Sequence, residues 1–214
     1  MSERRSVRVD VISDCVCPWC YVGKRRLEEA VRRVEDRLDV QVVWHPFQLD
    51  PTLPPEGLPW EDYVRERFGS PERFREAQAR VAEIGREVGI PFAFEKVRKA
   101  PNTLLAHRLI AIAAAADRQA DMVERIFRAH FVEGRDIGDL ESLVAIAEEA
   151  GVDREATARG LAEGQGEAEV RRGLEMAREI GVRGVPFFIV DLQLAVHGAQ
   201  PPEVLVEVLQ RATS

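Results

Sequence analysis

The sequence predicts an α/β fold in which one α/β unit is interrupted by an all-helical block. Three observations carry this: strand, helix and strand patterns fill the chain up to Pro46; a helical period without a strand pattern runs from Trp60 to about residue 180; and two strand patterns followed by a helix close the chain. The expected division is a discontinuous α/β domain over 1–58 and 165–214, with a helical insertion domain over 59–164.

Val7, Val9 and Val11 alternate with Arg8 and Asp10, which puts the valines on one face of a first strand, and Val40, Val42 and Trp44 do the same in a second. Between them Val22, Leu27, Ala30, Val31 and Val34 recur at helical spacing from near Cys17, with Arg and Glu on the outer side. A crossover of that length joins parallel strands. Residues 46–59 hold Pro46, Pro51, Pro54, Pro55 and Pro59 and read as a linker. Beyond it, Phe74, Ala77, Val81, Ile84 and Val88 mark one helix, and Leu105, Leu109, Ile112 and Ala116 another. Further helices are expected at about 121–132, 139–150, 153–163 and 167–180, the second opened by Asp139 as N-cap. Apolar runs at 186–190 and 194–197 flank a polar turn at Asp191 to Gln193, and 201–212 has helical spacing. The first strand–helix–strand unit is too small to bury its own sheet, so the terminal strands and helix must complete it.

The chain has 214 residues, and 30 Lys plus Arg against 37 Asp plus Glu give a net charge of -7. With no extended basic run, this speaks against a nucleic-acid partner. No apolar stretch is long enough for a membrane span, and the charged residues interleaved with Val7 to Val11 are unlike a secretory signal, so neither a membrane partner nor export is expected. The expected location is the cytoplasm, where thiols stay reduced and cysteines are more often catalytic or metal-binding than structural.

Only Cys15, Cys17 and Cys20 occur, all in the stretch DCVCPWC. Cys17-Pro18-Trp19-Cys20 lies where a strand ends and a helix begins. With Cys17 at the N-cap, Pro18 takes the first helical position, where its missing N–H costs nothing, and Cys20 follows one turn on. The helix N-terminus favours a thiolate on Cys17, making it the attacking group, while the more buried Cys20 resolves the mixed disulfide. Metal binding competes with this reading, because three thiolates lie close in sequence. A tetrahedral structural zinc site needs a fourth ligand, though, and no second Cys pair or His pair at finger spacing exists. His45, His107, His130 and His197 are scattered and read as packed or surface residues, and no metal is expected. Cys15 reads either as a small hydrophobe at a strand end or as an auxiliary thiol that resolves or senses; two residues from Cys17, it is near the limit of unstrained disulfide geometry, so Cys17 should pair with Cys20. Asp14 is a candidate proton relay to Cys20, against its default as a turn or cap residue, and Asn102 reads first as the N-cap of an apolar helix.

The segments SDCVCPWCYVGKRRLE (13–28), WHPFQLDP (44–51), NTLLAHRL (102–109), FRAHFVEGRDIGD (127–139), GVRGVPFFIVD (181–191) and HGAQPPE (197–203) resemble, in order and spacing, the FrnE-like subgroup of DsbA-family thioredoxin-fold oxidoreductases. The resemblance implies a thioredoxin-like fold with an inserted all-helical domain, and a cis peptide at Val185-Pro186 facing the CxxC, where the backbone before the proline pairs with substrate. It places Trp19, Val185, Asn102 and, more weakly, His107 in contact with substrate. The implied activity is thiol-disulfide exchange on protein or small-molecule thiols and disulfides, with no tightly bound cofactor, a redox-active Cys17-Cys20 disulfide and glutathione as a candidate co-substrate. A homodimer is compatible with it. Trp19 stands where DsbA carries His, which removes a nearby cation from the dipeptide. Two alternatives accompany this reading. One is a glutathione-dependent isomerase or transferase of the 2-hydroxychromene-2-carboxylate isomerase or kappa type, whose members offer Ser or a single thiol at the active position. The other is a thiol-based metal-binding or chaperone module.

Overall fold

The computed structural model describes residues 4–212. Its main sheet has the order β2-β1-β5-β6, built from β1 (Arg5–Ser13), β2 (Leu38–Pro46), β5 (Phe187–Val190) and β6 (Leu194–His197). β1 and β2 are parallel, with Val7, Val9 and Val11 opposite Val40, Val42 and Trp44, and α1 (Pro18–Arg32) makes the crossover. β5 runs antiparallel to β1, Val11 facing Phe188, and β6 returns along β5.

β1 is central, and the valine alternation explains why: Val7, Val9, Val11 and Ile12 are all fully buried. Its valine face, shared with Phe188 and Val190, is covered by α1 and by α9 (Pro202–Arg211) through Leu27, Leu205 and Leu209. Ile12 and Phe187 point the other way and pack with Ala177 of α8 (Glu167–Ile180). A sheet covered on both faces is the arrangement a parallel β-α-β unit requires.

Between β2 and α8 lie α2 (Trp60–Phe68), α3 (Pro71–Glu87), α4 (Leu104–Ala114), α5 (Gln119–Phe131), α6 (Leu140–Glu149) and α7 (Arg154–Ala162). Asp139 caps α6 by accepting the Ser142 amide at 2.8 Å, and Asp153 caps α7 by accepting that of Ala156 at 2.7 Å. One expectation fails in this block. The stretch from Trp60 read as free of strands contains β4 (Lys99–Ala100), which pairs antiparallel with β3 (Leu58–Pro59) at the end of the proline-rich linker. Two-residue strands have no alternation to detect, and this pairing depends on Gly57, whose φ is 72° and where a Cβ would come within 2.5 Å of the Ala100 carbonyl oxygen.

The Arg and Glu side chains of α1 face outward as expected, Glu28, Arg32 and the C-cap Arg33 being exposed, but the helix also buries a cation. Lys24 is buried there; its Nζ donates to Glu124 of α5 at 2.8 Å and also pairs with Glu28. Tyr21 stacks on Phe127 at 5.0 Å and donates to the same Glu124 carboxylate at 2.8 Å. The thiol-bearing helix is thereby fixed to α5 by a buried ion pair and an aromatic stack, which holds its N-terminus against the helical block.

Candidate active site

Cys17 occupies the N-cap of α1 in extended conformation, and Pro18 takes the first helical position. The turn is closed by the Cys17 amide donating to the Asp14 carbonyl at 3.1 Å and the Cys20 amide donating to the Cys17 carbonyl at 3.0 Å. Cys20 has no exposed surface. Burial, reinforced by Cys17 beside it, pushes its thiol well above the ordinary range, against the Ser13 side chain and the Asp14 backbone, which favour the thiolate. Cys20 therefore keeps its proton at neutral pH until something changes on Cys17.

The Cys17 thiol donates to the Val185 carbonyl at 3.6 Å, and the Val185-Pro186 peptide is cis. Pro186 is buried against α1 at Gly23, where a Cβ would come within 2.9 Å of Pro186 Cγ and 3.2 Å of Phe188 Cζ. Gly23→Ala must therefore push the proline ring or the helix away from the thiol pair. Overpacking of this kind costs about 1–3 kcal/mol, and a wall displaced beside the reacting sulfur slows exchange about tenfold or more. Melting temperature and the rate of exchange with a small disulfide should both fall; a variant unchanged in both would mean that Gly23 does not hold this wall.

Cys17 opens on a cleft of about 600 Å³. Trp19 and Val185 stand beside the sulfur, while Trp60, Tyr63, Phe68 and Phe74 of α2 and α3 form the opposite side. Trp19 and Phe68 are 36% and 46% exposed, so the aromatic surface continues to the rim. The charged side chains in this lining are the carboxylates of Asp14 and Asp50, and among the described residues no Lys or Arg joins them. These aromatics escape sequence reasoning because Phe74, Ala77, Val81 and Ile84 look like a helix face turned to a core; Val81 is buried, but Phe74 and Ile84 are half-buried and Ala77 is exposed. The usable signal is the aromatic density of Trp60, Tyr63, Phe68 and Phe74, more than one short helix pair can bury.

Cys15 does not line this cleft. Together with His107 it lines a separate cavity of about 210 Å³ between β2, α4, α5 and α8. His107 was expected to be an isolated packed residue. In the structure its Nδ1 lies 3.8 Å from Cys15 Sγ, while Nε2 lies 2.9 Å from the Phe47 carbonyl oxygen and 3.3 Å from Asp14 Oδ1. Burial alone would lower the His107 pKa, but the facing Cys15 and Asp14 outweigh it and push it up to about 10. Asp14 is buried, lines the main cleft, and accepts the Leu49 amide at 2.7 Å through its other carboxylate oxygen. Asp14, Cys15 and His107 are all metal-ligating types with donor atoms within 4.8 Å of one another, although Nε2 is already engaged by Phe47.

Asn102 lies outside the Cys17 cleft, in the lining of a third cavity on the other side of the α4 N-terminus. Its capping role holds with a shift of one residue: Thr103 is the N-cap, and the Asn102 side chain accepts the Leu104 amide at 3.0 Å while donating to the Leu53 carbonyl at 2.7 Å. It pins the proline-rich linker to α4. The remaining histidines, His45, His130 and His197, contact Asp10, Phe131 and Phe187 respectively.

The chain matches the DSBA-like thioredoxin domain over residues 8–210. It is 31% identical to the Bacillus subtilis (strain 168) protein YwbO over 200 residues, 93% of this chain and 94% of that one. The crystal structure of a probable DsbA oxidoreductase from Streptomyces coelicolor superimposes with a TM-score of 0.88 at 32% identity, covering 97% of this chain and 90% of the other. The cytosolic disulfide reductase DsbM from Pseudomonas aeruginosa with GSH shares the fold at a TM-score of 0.67 and 22% identity, over 96% and 98% of the two chains.

Proposed function

Since the chain belongs to the DSBA-like thioredoxin domain family, we propose that it is a thiol-disulfide oxidoreductase in which Cys17 attacks and Cys20 resolves. The observation that carries this reading is the asymmetry of the two thiols: Cys17 stands at the end of a cleft with its sulfur against the Val185 carbonyl, and Cys20 is sealed one turn behind it. In the forward direction the Cys17 thiolate attacks a substrate disulfide, forming a mixed disulfide and releasing one substrate thiolate. Cys20 then loses its proton and attacks the Cys17 sulfur, closing Cys17-Cys20 and releasing the second substrate thiol, so that the substrate gains the two electrons that the dithiol loses. We assign Asp14 as acceptor of the Cys20 proton, on the support that its backbone faces that thiol. Trp19, Val185 and Pro186 shape the edge against which substrate lies.

Two thiols one turn apart favour redox exchange over the glutathione-dependent isomerase reading, which needs only one nucleophile. In the reducing cytoplasm expected from the sequence the dithiol is the working form and glutathione a candidate electron donor. Redox titration against glutathione followed by peptide mapping tests the proposal. Oxidation should join Cys17 to Cys20 and leave Cys15 free. A dominant disulfide containing Cys15, or no disulfide across the titration, would overturn the assignment.

A further inference from the structure

We propose that Cys15 is a second nucleophilic thiol, activated by His107 and oxidised by hydrogen peroxide entering through the cavity between β2, α4, α5 and α8, independently of the Cys17 cleft. A thiol within reach of an imidazole that is itself oriented by a third group is the arrangement of an activated nucleophile. Here Cys15 Sγ faces His107 Nδ1 at 3.8 Å, and the Phe47 carbonyl and Asp14 carboxylate hold the ring through Nε2. These two acceptors keep a proton on Nε2 and leave Nδ1 to take the one from Cys15.

The cavity selects the reactant. Both Cys15 and His107 line it, whereas Cys17 and Trp19 line the other, so a substrate in the cleft does not meet Cys15. At about 210 Å³, with walls such as Ile110, Val123 and Val170, it admits a small neutral molecule and not a peptide. Trp44, 7% exposed, stands in the same wall. In the step itself the Cys15 thiolate attacks one oxygen of hydrogen peroxide, an S–O bond forms as the O–O bond breaks, and His107 gives its Nδ1 proton to the departing hydroxide. The products are a sulfenic acid at Cys15, water and neutral His107, with sulfur oxidised by the two electrons that reduce the peroxide.

The test uses the full chain with Cys17→Ser and Cys20→Ser, in which Cys15 is the remaining thiol, so the outcome does not depend on the exchange reaction. The protein is treated with hydrogen peroxide in the presence of dimedone, and the adduct is mapped by mass spectrometry. The folded protein should be labelled at Cys15 about a hundredfold faster than the same variant unfolded in urea, the size of effect a positioned proton donor supplies. Adding His107→Gln should remove that advantage while a cooperative melt is retained, and Ala114→Phe, which narrows the cavity from an exposed position two helical turns beyond His107, should slow labelling at least tenfold. Labelling that is no faster in the folded state than in urea, or that is unaffected by either added substitution, overturns the proposal.

Discussion

Replacing Cys17 by serine is expected to abolish disulfide exchange, and replacing Cys20 by serine to arrest it at the mixed disulfide. The first result follows from access. Cys17 is the thiol that lines the cleft; Cys20 is completely buried, and Cys15 opens on the other cavity, so neither can take over the attack. A hydroxyl at the same place is a far weaker nucleophile, and the loss should be complete within the sensitivity of the assay. The second result follows from burial. The Cys20 thiol attacks only the sulfur beside it, so Cys20→Ser leaves Cys17 free to form the covalent intermediate and removes its exit. Turnover of a small disulfide, without added monothiol, gives the rates, and intact mass under non-reducing conditions shows the trapped adduct. Full multiple turnover by the Cys20→Ser variant would sink the assignment and identify another thiol as the resolving group.

The residues in that prediction are legible in the sequence because their geometry is local. A Cys-Pro pair after an alternating strand fixes the N-cap and the first helical position, and the fourth residue then falls one turn on, whatever the rest of the chain does. β1, α1 and β2 are legible for the same reason: Val7, Val9 and Val11 alternate long enough to define a face. The rest depends on meetings between distant segments. His107 reaches Cys15 across 92 residues and Asp14 across 93, and no periodicity encodes that distance. Lys24 is a cation buried against α5, and Glu124, from 100 residues away, joins its neighbour Glu28 in making that burial tolerable. Trp60, Tyr63 and Phe74 show the same limit from the other side. Spacing reveals that a face is apolar, but not whether it meets a core or walls a cleft.

Folding stability is expected to peak near pH 6.5, with a different buried histidine responsible for each flank. Burial pushes His130 down to about 4, overcoming the Arg135 backbone contact and the nearby Asp136 and Asp14, which favour its charged form. As pH falls below the ordinary value of 6.5, the unfolded chain takes up a proton that the native protein refuses until about pH 4. Stability therefore drops across that window, by roughly 3 kcal/mol for a proton withheld that long. His107 has the opposite sign. Burial opposes its charge, but Cys15 and Asp14 raise it to about 10, so the native protein holds a proton that the unfolded chain gives up above 6.5. The stability that proton contributes is fully present below 6.5 and is lost as pH rises through 10. Asp10 and Glu124, whose carboxyls are held below their ordinary values by Arg8, His45 and Lys24 against the cost of burial, add an acid loss that begins below their unfolded pKa values of 3.8 and 4.5, under most of the His130 window. Urea unfolding at pH 4.5, 6.5 and 9 measures the two flanks. His130→Gln should flatten the interval from 6.5 to 4.5 and leave the alkaline slope, and His107→Gln should do the reverse; the slopes decide the matter, whatever each substitution does to absolute stability. If His130→Gln keeps the wild-type acid slope, the buried neutral imidazole is not what the native state is protecting from protons.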